Sequence, residues 1–274
     1  MPIVTISRQV GSWGDEIASV VARRLGYPLI GREQFQKLAE NGDPEFKKAF
    51  SVPEETGEPA SLEQVFFQNP AYTALFESIT YELASAGNAV IVGRGAQVVL
   101  RETFGVFKAR IVAPLDVRVK RIMAQKGVSL EEASDFVSRY DHQRRTLIQV
   151  IYRKDLTDWY LYDLILNTSA FDPQGGAEVL CQAIGSIEKP VDEGGLRRRL
   201  KELSFAKRVE SVIKRWLITS PHRHIEVDAL SDGTVTLSGY VQDRDNLVLA
   251  ERIASGVDGV ARVKNDLKIT RIRV

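Results

Sequence analysis

Short apolar runs alternate with amphipathic segments through the first 190 residues of the chain. The apolar runs predict strands at 3–7, 89–93, 107–113 and 162–167, with a further short strand within "YPLI". Apolar positions spaced by three and four predict helices at 15–25, 32–40, 71–86, 115–126, 129–152 and 175–188. Strands that are apolar on both faces and alternate with helices are typical of a doubly wound parallel sheet. This is an α/β fold that binds ligands at the carboxyl ends of its strands.

The pattern changes beyond "EKPVDEGG" at 188–195, a segment rich in acids, glycine and proline. An amphipathic helix follows, then two alternating strands around the turn Ser231-Asp232-Gly233, a second helix and a last strand. We therefore predict a first domain at 1–190, a linker at 191–202 and a small α+β domain of order αββαβ at 203–274.

Residues 41–70 interrupt the alternation of strands and helices. This segment holds four of the ten prolines and several acidic residues. Long aperiodic segments in compact domains are often functional. A lid-like insertion and a merely exposed loop are both consistent with the sequence.

Composition places the chain among ordinary globular proteins, with 44% apolar and 27% charged residues. No apolar run approaches the ~20 residues that span a bilayer, and the first residues enter a strand without the pattern of a secretory signal. The single cysteine, Cys181, excludes an internal disulfide and lies in an apolar helical pattern. We expect a cytoplasmic protein. The net charge of +1 gives no reason to expect a nucleic-acid partner.

The turn Gly11-Ser12-Trp13-Gly14 lies between the first predicted strand and helix, where a phosphate-binding loop would be expected. It lacks the lysine of the full phosphate-loop pattern. Asp15 and Glu16 follow it, and acidic side chains repel phosphate unless a metal ion lies between them. This stretch alone is consistent with a ligand-free βα turn as well as with a nucleotide site.

Arginines elsewhere favour the nucleotide site. Arg94 follows a strand and is flanked by Gly93 and Gly95, whose small size permits close approach of a ligand. Later helices carry further charged candidates: Arg118 and Arg121, then Arg139, Asp141, Arg144 and Arg145. Phosphoryl transfer depends on positioning and on neutralising charge, and arginine suits both.

The first 190 residues resemble the cytidylate-kinase-like family, relatives of the bacterial cytidylate kinases among the nucleoside monophosphate kinases. The segments that carry the resemblance are "TISRQVGSWGDEIA", "LGYPLIGRE", "VIVGRGA", "RIVAPLDVRVKRI", "SRYDHQRR" and "YDLILNTS". The family's first loop commonly reads S-R-x-x-G-S-G-G, so the missing lysine is a family trait, and Arg8 is our candidate substitute. Two departures are Trp13, which replaces a usual glycine, and Gly31, which stands where an acid is common.

The resemblance implies a P-loop kinase fold, ATP as phosphoryl donor, Mg²⁺ as cofactor and a nucleoside monophosphate as acceptor. It assigns donor-phosphate contacts to the first loop: Ser7, Arg8, Gly11, Ser12, Trp13 and Gly14. Acceptor contacts fall to Arg32, Gly93, Arg94 and Gly95. The implied catalytic set is Arg94, Arg139, Asp141 and Arg144, with Arg118, Arg121 and Arg145 as further candidates. Glu16 or Asp15 is the implied partner of the metal.

Residues 203–271 resemble a BON domain through "VESVIKRWL", "IEVDALSDGTVTLSGYV" and "ERIASGVDGVARVKNDLKI". That resemblance implies an interaction module for phospholipid, a small ligand or a protein partner. A contact within a homo-oligomer is an equally good account. The two functional alternatives to a kinase are a catalytically inactive nucleotide sensor and an adaptor that acts through its BON domain.

Overall fold

The computed structural model describes residues 2–39, 70–187, 192–217 and 224–270. The described residues divide into two compact units: those within 1–64 and 86–196 form the first, and those within 65–85 and 197–274 form the second. Apart from Pro70, the predicted insertion at 41–70 lies outside the described residues.

The first unit is built on a five-stranded parallel sheet in the order β2–β3–β1–β4–β5. The strands are β1 (Ile3–Arg8), β2 (Leu29–Ile30), β3 (Val90–Val92), β4 (Val106–Val112) and β5 (Leu164–Asn167). Each lies within two residues of its predicted position. The doubly wound parallel sheet is therefore confirmed.

The helices within residues 1–190 also follow the prediction closely. They are α1 (Gly14–Leu25), α2 (Arg32–Ala39), α3 (Pro70–Ser85), α4 (Ala96–Val99), α5 (Leu115–Lys126), α6 (Leu130–Tyr152) and α7 (Pro173–Gly185). The "SLEE" spacing marks the start of α6, where Ser129 and Glu132 form a capping box. The short α4 was not predicted, because four residues are too few to show a helical period.

The main core of the first unit lies between one face of the sheet and helices α1 and α7. Val4 and Ile6 point to this face and pack among Ile17 and Leu180, all of them at least 99% buried. Burial of each such side chain stabilises the fold by ~2 kcal/mol. Because side chains alternate along a strand, Thr5 and Ser7 point to the other face. Parallel pairing of β1 with β3 holds the carboxyl ends of these two strands beside each other.

The second unit contains the predicted hairpin. Its elements are α8 (Glu193–Trp216, which begins in the first unit), β6 (Ile225–Ala229), β7 (Thr234–Val241), α9 (Arg244–Ser255), β8 (Arg262–Asn265) and β9 (Lys268–Ile269). Strands β6 and β7 are antiparallel, and β8 and β9 both pair with β7 in parallel. The single last strand of the prediction is split in two, because the N–H of Leu267 bonds to the side chain of Asn265 at 3.2 Å.

Two features of the structure differ from the predicted division into domain, linker and domain. The predicted linker is helical from Glu193 onward, because Asp192 accepts the N–H groups of Gly195 and Leu196 at 3.0 and 2.9 Å and so starts α8 despite two glycines. Helix α3 belongs to the second unit, although the chain order puts it between β2 and β3.

Helix α3 is joined to α8 by buried polar contacts. The hydroxyl of Ser78 donates to the carbonyl of Ser204 at 2.8 Å, and the hydroxyl of Ser204 donates to the carbonyl of Ser78 at 3.0 Å. Beside them, the amine of Lys207 lies 2.8 Å from Glu77 and 3.0 Å from Glu210. Burial alone would lower the pKa of Lys207, but these two carboxylates outweigh burial and raise it, so the amine stays charged.

We predict that Lys207→Met lowers the free energy of unfolding by about 2 kcal/mol. The substitution leaves Glu210 buried with less compensating charge. The loss is below the ~3–5 kcal/mol of an isolated buried pair, because Lys214 also contacts Glu210. Urea unfolding of the full chain measures the change. Lys201→Met, at an exposed position of the same helix, is the matched control, and equal losses in the two variants would contradict the prediction.

Candidate functional site

A cavity of about 1100 Å³ opens at the carboxyl ends of β1 and β3 in the first unit. Its charged lining is predominantly basic: Arg8, Arg32, Arg94, Arg121, Lys126 and Arg144, against Asp15, Glu16 and Glu33. Five of these arginines were singled out from the sequence. Their side chains come from five different segments of the chain, so the fold gathers them into one positively charged site.

The loop between β1 and α1 presents backbone N–H groups to this cavity. Gly11 and Trp13 both have left-handed backbone angles, with φ of 72° and 63°. The first bond of α1 joins the N–H of Ile17 to the carbonyl of Trp13. The N–H groups of residues 14–16 precede that bond and lie at the positive end of the helix dipole. This geometry suits an anion.

Arg121 of α5 links this loop to the residue that follows β5. The Arg121 guanidinium donates to the carbonyl of Gly11 at 3.3 Å, and to the hydroxyl and carbonyl of Thr168 at 3.0 and 2.7 Å. The Thr168 hydroxyl also lies 2.9 Å from the carbonyl of Ser12. Burial lowers the pKa of Arg121, while the Glu16 carboxylate acts in the opposite direction. The loop is thus fixed to the end of β5 through one guanidinium.

Arg8 lines the cavity beside the loop and contacts the first turn of α1. Its Nε donates to Asp15 at 3.0 Å, and its side chain is only 12% exposed. Gly14 and Gly93 make room for it, because a methyl group at either position would overlap the Arg8 side chain. The predicted substitute for the missing lysine therefore lies at the site and is oriented by an acidic residue of α1.

The turn after β3 places Arg94 in the cavity wall. Gly93, Arg94 and Gly95 all have left-handed backbone angles, with φ of 68°, 56° and 68°. A non-glycine residue in this region is uncommon and strained. A methyl group on Gly95 would lie 2.9 Å from Ile148 of α6. The two glycines therefore permit a tight turn against α6, and this turn directs Arg94 toward the site.

Helix α6 contributes an aromatic and basic stripe that the sequence analysis missed in part. Phe136, Tyr140 and Arg144 line the cavity and are spaced by four. The Arg144 guanidinium lies 4.7 Å from the Tyr140 ring centroid and donates to the carbonyl of Arg8 at 3.0 Å. Lys126 lies 4.6 Å from the Phe136 ring. The i, i+4, i+8 spacing was the available signal for the two aromatic residues.

Two predicted phosphate contacts are turned away from the cavity. The Ser12 hydroxyl donates to the carbonyls of Gln9 and Ile111, and the Ser12 N–H bonds to Gln9 at 3.3 Å. The Ser7 hydroxyl accepts from Arg110 on the opposite face of the sheet. Gly93 and Gly95 support the Arg94 turn without lining the cavity. In this structure these residues shape the site, and their predicted contacts with ligand stay predictions.

Four other predicted residues also lie outside the cavity lining. Arg118 is buried, donates to the carbonyl of Ala113 at 3.0 Å and pairs with Asp141 at 2.8 Å. Arg139 is exposed and bonds to the carbonyl of Asp135, one turn earlier in α6. Arg145 is exposed as well. Sequence spacing placed these side chains on the right helices but could not give the direction in which each points.

Arg110 and Tyr162 form a polar contact under the sheet that was not predicted. Arg110 donates to the hydroxyls of Ser7 and Tyr162 at 2.8 and 3.2 Å. The Tyr162 hydroxyl donates to the carbonyl of Leu156 at 3.1 Å. Burial raises the pKa of Tyr162, with Arg110 opposing it, so the phenol stays protonated and can donate.

The described residues contain no group of three or more side chains of His, Cys, Asp or Glu that could hold a metal ion. His224 contacts Glu226 at 2.8 Å. Cys181 packs against the main core, and burial raises the pKa of its thiol, as its apolar surroundings in the sequence suggested. Among the described helices, none has the length and apolar character needed to cross a membrane.

We predict that Asp141→Asn lowers the free energy of unfolding by about 2 kcal/mol, because it leaves the buried Arg118 guanidinium without its anionic partner. Asp135→Asn, at an exposed position of the same helix, is the control. Thermal and urea unfolding of both variants provide the measurement. Equal stability of the Asp141→Asn variant and the unmodified chain would rule out a stabilising role for this pair.

Two protein families match this chain. Residues 3–170 match the model of the cytidylate kinase-like family, and residues 206–271 match the BON domain. A cytidylate kinase of Pyrococcus horikoshii is 33% identical over 43% of this chain and 59% of its own length. A cytidylate kinase of Archaeoglobus fulgidus is 28% identical over 69% of this chain and 98% of its own length.

Among solved structures, an uncharacterized protein from Eubacterium ventriosum ATCC 27560 has the same fold. It aligns with a TM-score of 0.50 and 20% identity over 68% of this chain and 99% of its own. With the family model covering more than half of the 274 residues, the chain belongs to the cytidylate kinase-like family and carries a BON domain in its C-terminal part.

Proposed function

We propose that this chain is a phosphotransferase that moves the γ-phosphoryl group of ATP to a nucleoside monophosphate, with CMP as the first acceptor to test. One observation carries the proposal: five arginines line a single cavity beside the N-terminus of α1. The acceptor class follows from the relatives, whose names are cytidylate kinases.

The chemistry requires the site to hold two highly charged nucleotides together. A phosphate oxygen of the acceptor attacks the γ-phosphorus of ATP, the bond from that phosphorus to the β–γ bridging oxygen breaks, and ADP leaves. Catalysis is then mainly positioning and stabilisation of negative charge. Guanidinium groups serve both purposes, because they stay charged and donate paired hydrogen bonds.

The donor phosphates are assigned to the α1 side of the cavity. Three N–H groups precede the first bond of α1. Arg8 bonds to Asp15 in the first turn of that helix, and Arg121 bonds to Gly11 within the loop. In this proposal the backbone orients the phosphates, and the two guanidinium groups supply the charge of the missing lysine.

The acceptor is assigned to the side formed by Arg32, Arg94 and Arg144. Arg32 begins α2, Arg94 occupies the tight turn after β3, and Arg144 lies over Tyr140. These three cations come from separate elements that face the same cavity. They are suited to hold the acceptor phosphate and to neutralise charge on the transferred group.

Mg²⁺ would enter with the donor phosphates, as is usual for this ion, which prefers phosphate oxygens, water and one or two carboxylates. Asp15 and Glu16 both line the cavity, but Asp15 already binds Arg8, whereas Glu16 acts electrostatically on Arg121. Glu16 therefore remains our proposed partner for the ion. When bound, the ion would neutralise charge on the donor.

A nucleotide sensor without turnover is the second candidate. Trp13 stands in the loop itself and lines the cavity, and Arg8 is already paired with Asp15. The Trp13 side chain takes up space where the donor phosphates would bind, and the Arg8–Asp15 pair engages a guanidinium that those phosphates would need. The BON domain would then report nucleotide occupancy to a phospholipid, small ligand, protein partner or second copy of the chain.

The test is incubation of the full chain with Mg·ATP and each nucleoside monophosphate, followed by separation of the diphosphate products. We expect CDP from CMP, and we expect Arg94→Ala and Arg144→Lys each to reduce kcat/KM by at least about 100-fold, which corresponds to ~2.7 kcal/mol. Lys120→Ala removes an exposed charge from α5 without touching the cavity and serves as the control.

The outcomes separate the two candidates. Product formation that both arginine variants abolish supports the kinase. Binding of Mg·ATP or CMP without any product, measured by calorimetry, supports the sensor and rejects the kinase. Undiminished turnover in both arginine variants would show that the cavity is not the catalytic site.

A further inference from the structure

Trp13 has an unusual backbone for its residue type. It is the N-cap of α1 with φ of 63° and ψ of 19°, and its side chain makes no capping hydrogen bond. Glycine adopts this left-handed conformation without strain, whereas a bulky residue does not. Such strain persists where the surrounding structure enforces it, and it often marks functional sites.

The indole ring is stacked on a charged group. The Arg121 guanidinium carbon lies 3.3 Å from the centroid of the Trp13 ring. Both side chains line the cavity. A cation over the face of tryptophan is the strongest of the common cation–π pairs. One face of this guanidinium is therefore covered by the indole, while its edge is bonded to Gly11 and Thr168.

We propose that Trp13 is a positioning residue of the nucleotide site, which fixes the Arg121 guanidinium so that its remaining donors face the anionic groups of the donor nucleotide. The inference rests on the proposed function, because it takes the cavity to be a nucleotide site. It adds a role for a residue that stands where the family usually has glycine.

Two observations favour positioning over simple packing. Arg121 uses Nη1 and Nη2 to bind the carbonyl of Gly11 and the hydroxyl and carbonyl of Thr168, which follows β5. The guanidinium is therefore already held along one edge. The stack adds a constraint perpendicular to that edge. A planar, charged group held in two directions loses little conformational entropy when an anion binds.

The competing interpretation of the same geometry is that the Trp13 side chain is a plug, which blocks part of the nucleotide site. If the indole only occupied space that a nucleotide needs, its removal would strengthen binding. Positioning predicts the opposite. The two accounts therefore differ in the sign of one measurable effect.

The experiment is a double-substitution cycle on the full chain, with the dissociation constant of Mg·ATP measured by calorimetry. The variants are Trp13→Gly, which keeps the left-handed backbone and removes the stack, Trp13→Phe, which keeps an aromatic face, and Arg121→Lys, which keeps the charge and removes the planar group. Trp159→Phe, at a tryptophan that is 71% exposed, is the control.

We expect Trp13→Gly to raise the dissociation constant about tenfold and Trp13→Phe to raise it about threefold. In the Arg121→Lys background, Trp13→Gly should have almost no further effect, because the group that it positions is absent. A role in stability alone would give the same loss of affinity in both backgrounds. Unchanged or tighter binding by Trp13→Gly would overturn the proposal in favour of the plug.

This result is separable from the fate of the proposed function. A chain that binds Mg·ATP without turnover, and whose affinity shows the predicted coupling between Trp13 and Arg121, retains the inference and loses the kinase. A chain that forms CDP, with no coupling, retains the kinase and loses the inference. If the unmodified chain binds neither Mg·ATP nor CMP, both are rejected.

Discussion

The candidate site depends on two arginines of α5 that satisfy carbonyl oxygens of the β1–α1 loop. Arg118 and Arg121 bond to Val10 and Gly11, and Arg121 also binds Thr168 at the end of β5. Buried carbonyls without a hydrogen-bond partner are costly. By bonding to the carbonyls of Val10 and Gly11, the two guanidinium groups hold the loop and the first turn of α1 at the cavity. The other side chains of the site lie around this turn.

The same reasoning explains how so many arginines coexist in one unit. Three of them contact an anion or a carbonyl that lowers the cost of confining their charge. Arg8 has Asp15, Arg118 has Asp141, and Arg144 has the carbonyl of Arg8. The cavity keeps an excess of positive charge over its three acidic residues. That excess is the property expected of a site for phosphate groups, since it concentrates and orients anions.

The sequence predicted the sheet and its helices within a few residues, because strands such as "AVIVG" are apolar on both faces and helix starts such as Ser129 carry local signals. It also predicted which segments meet at the strand ends, including the Arg94 turn and the "DVRVKRI" helix. It could not predict that Asp141 pairs with Arg118 or that the Ser12 hydroxyl points inward, because such directions depend on neighbours distant in the chain. The sequence also did not predict that α3 belongs to the second unit, because contacts such as Glu77 with Lys207 join residues that are far apart in the sequence.

Helix α3 has a consequence for the order in which the protein is made. Its partner serine in α8 follows Ser78 by 126 residues. At ~5–20 residues per second, a ribosome needs about 6–25 seconds to supply it. During that interval the buried face of α3, with Glu77 and Ser78, has no partner from α8. The second unit therefore cannot be completed until α8 has been made, and α3 lacks these contacts while most of the chain is translated.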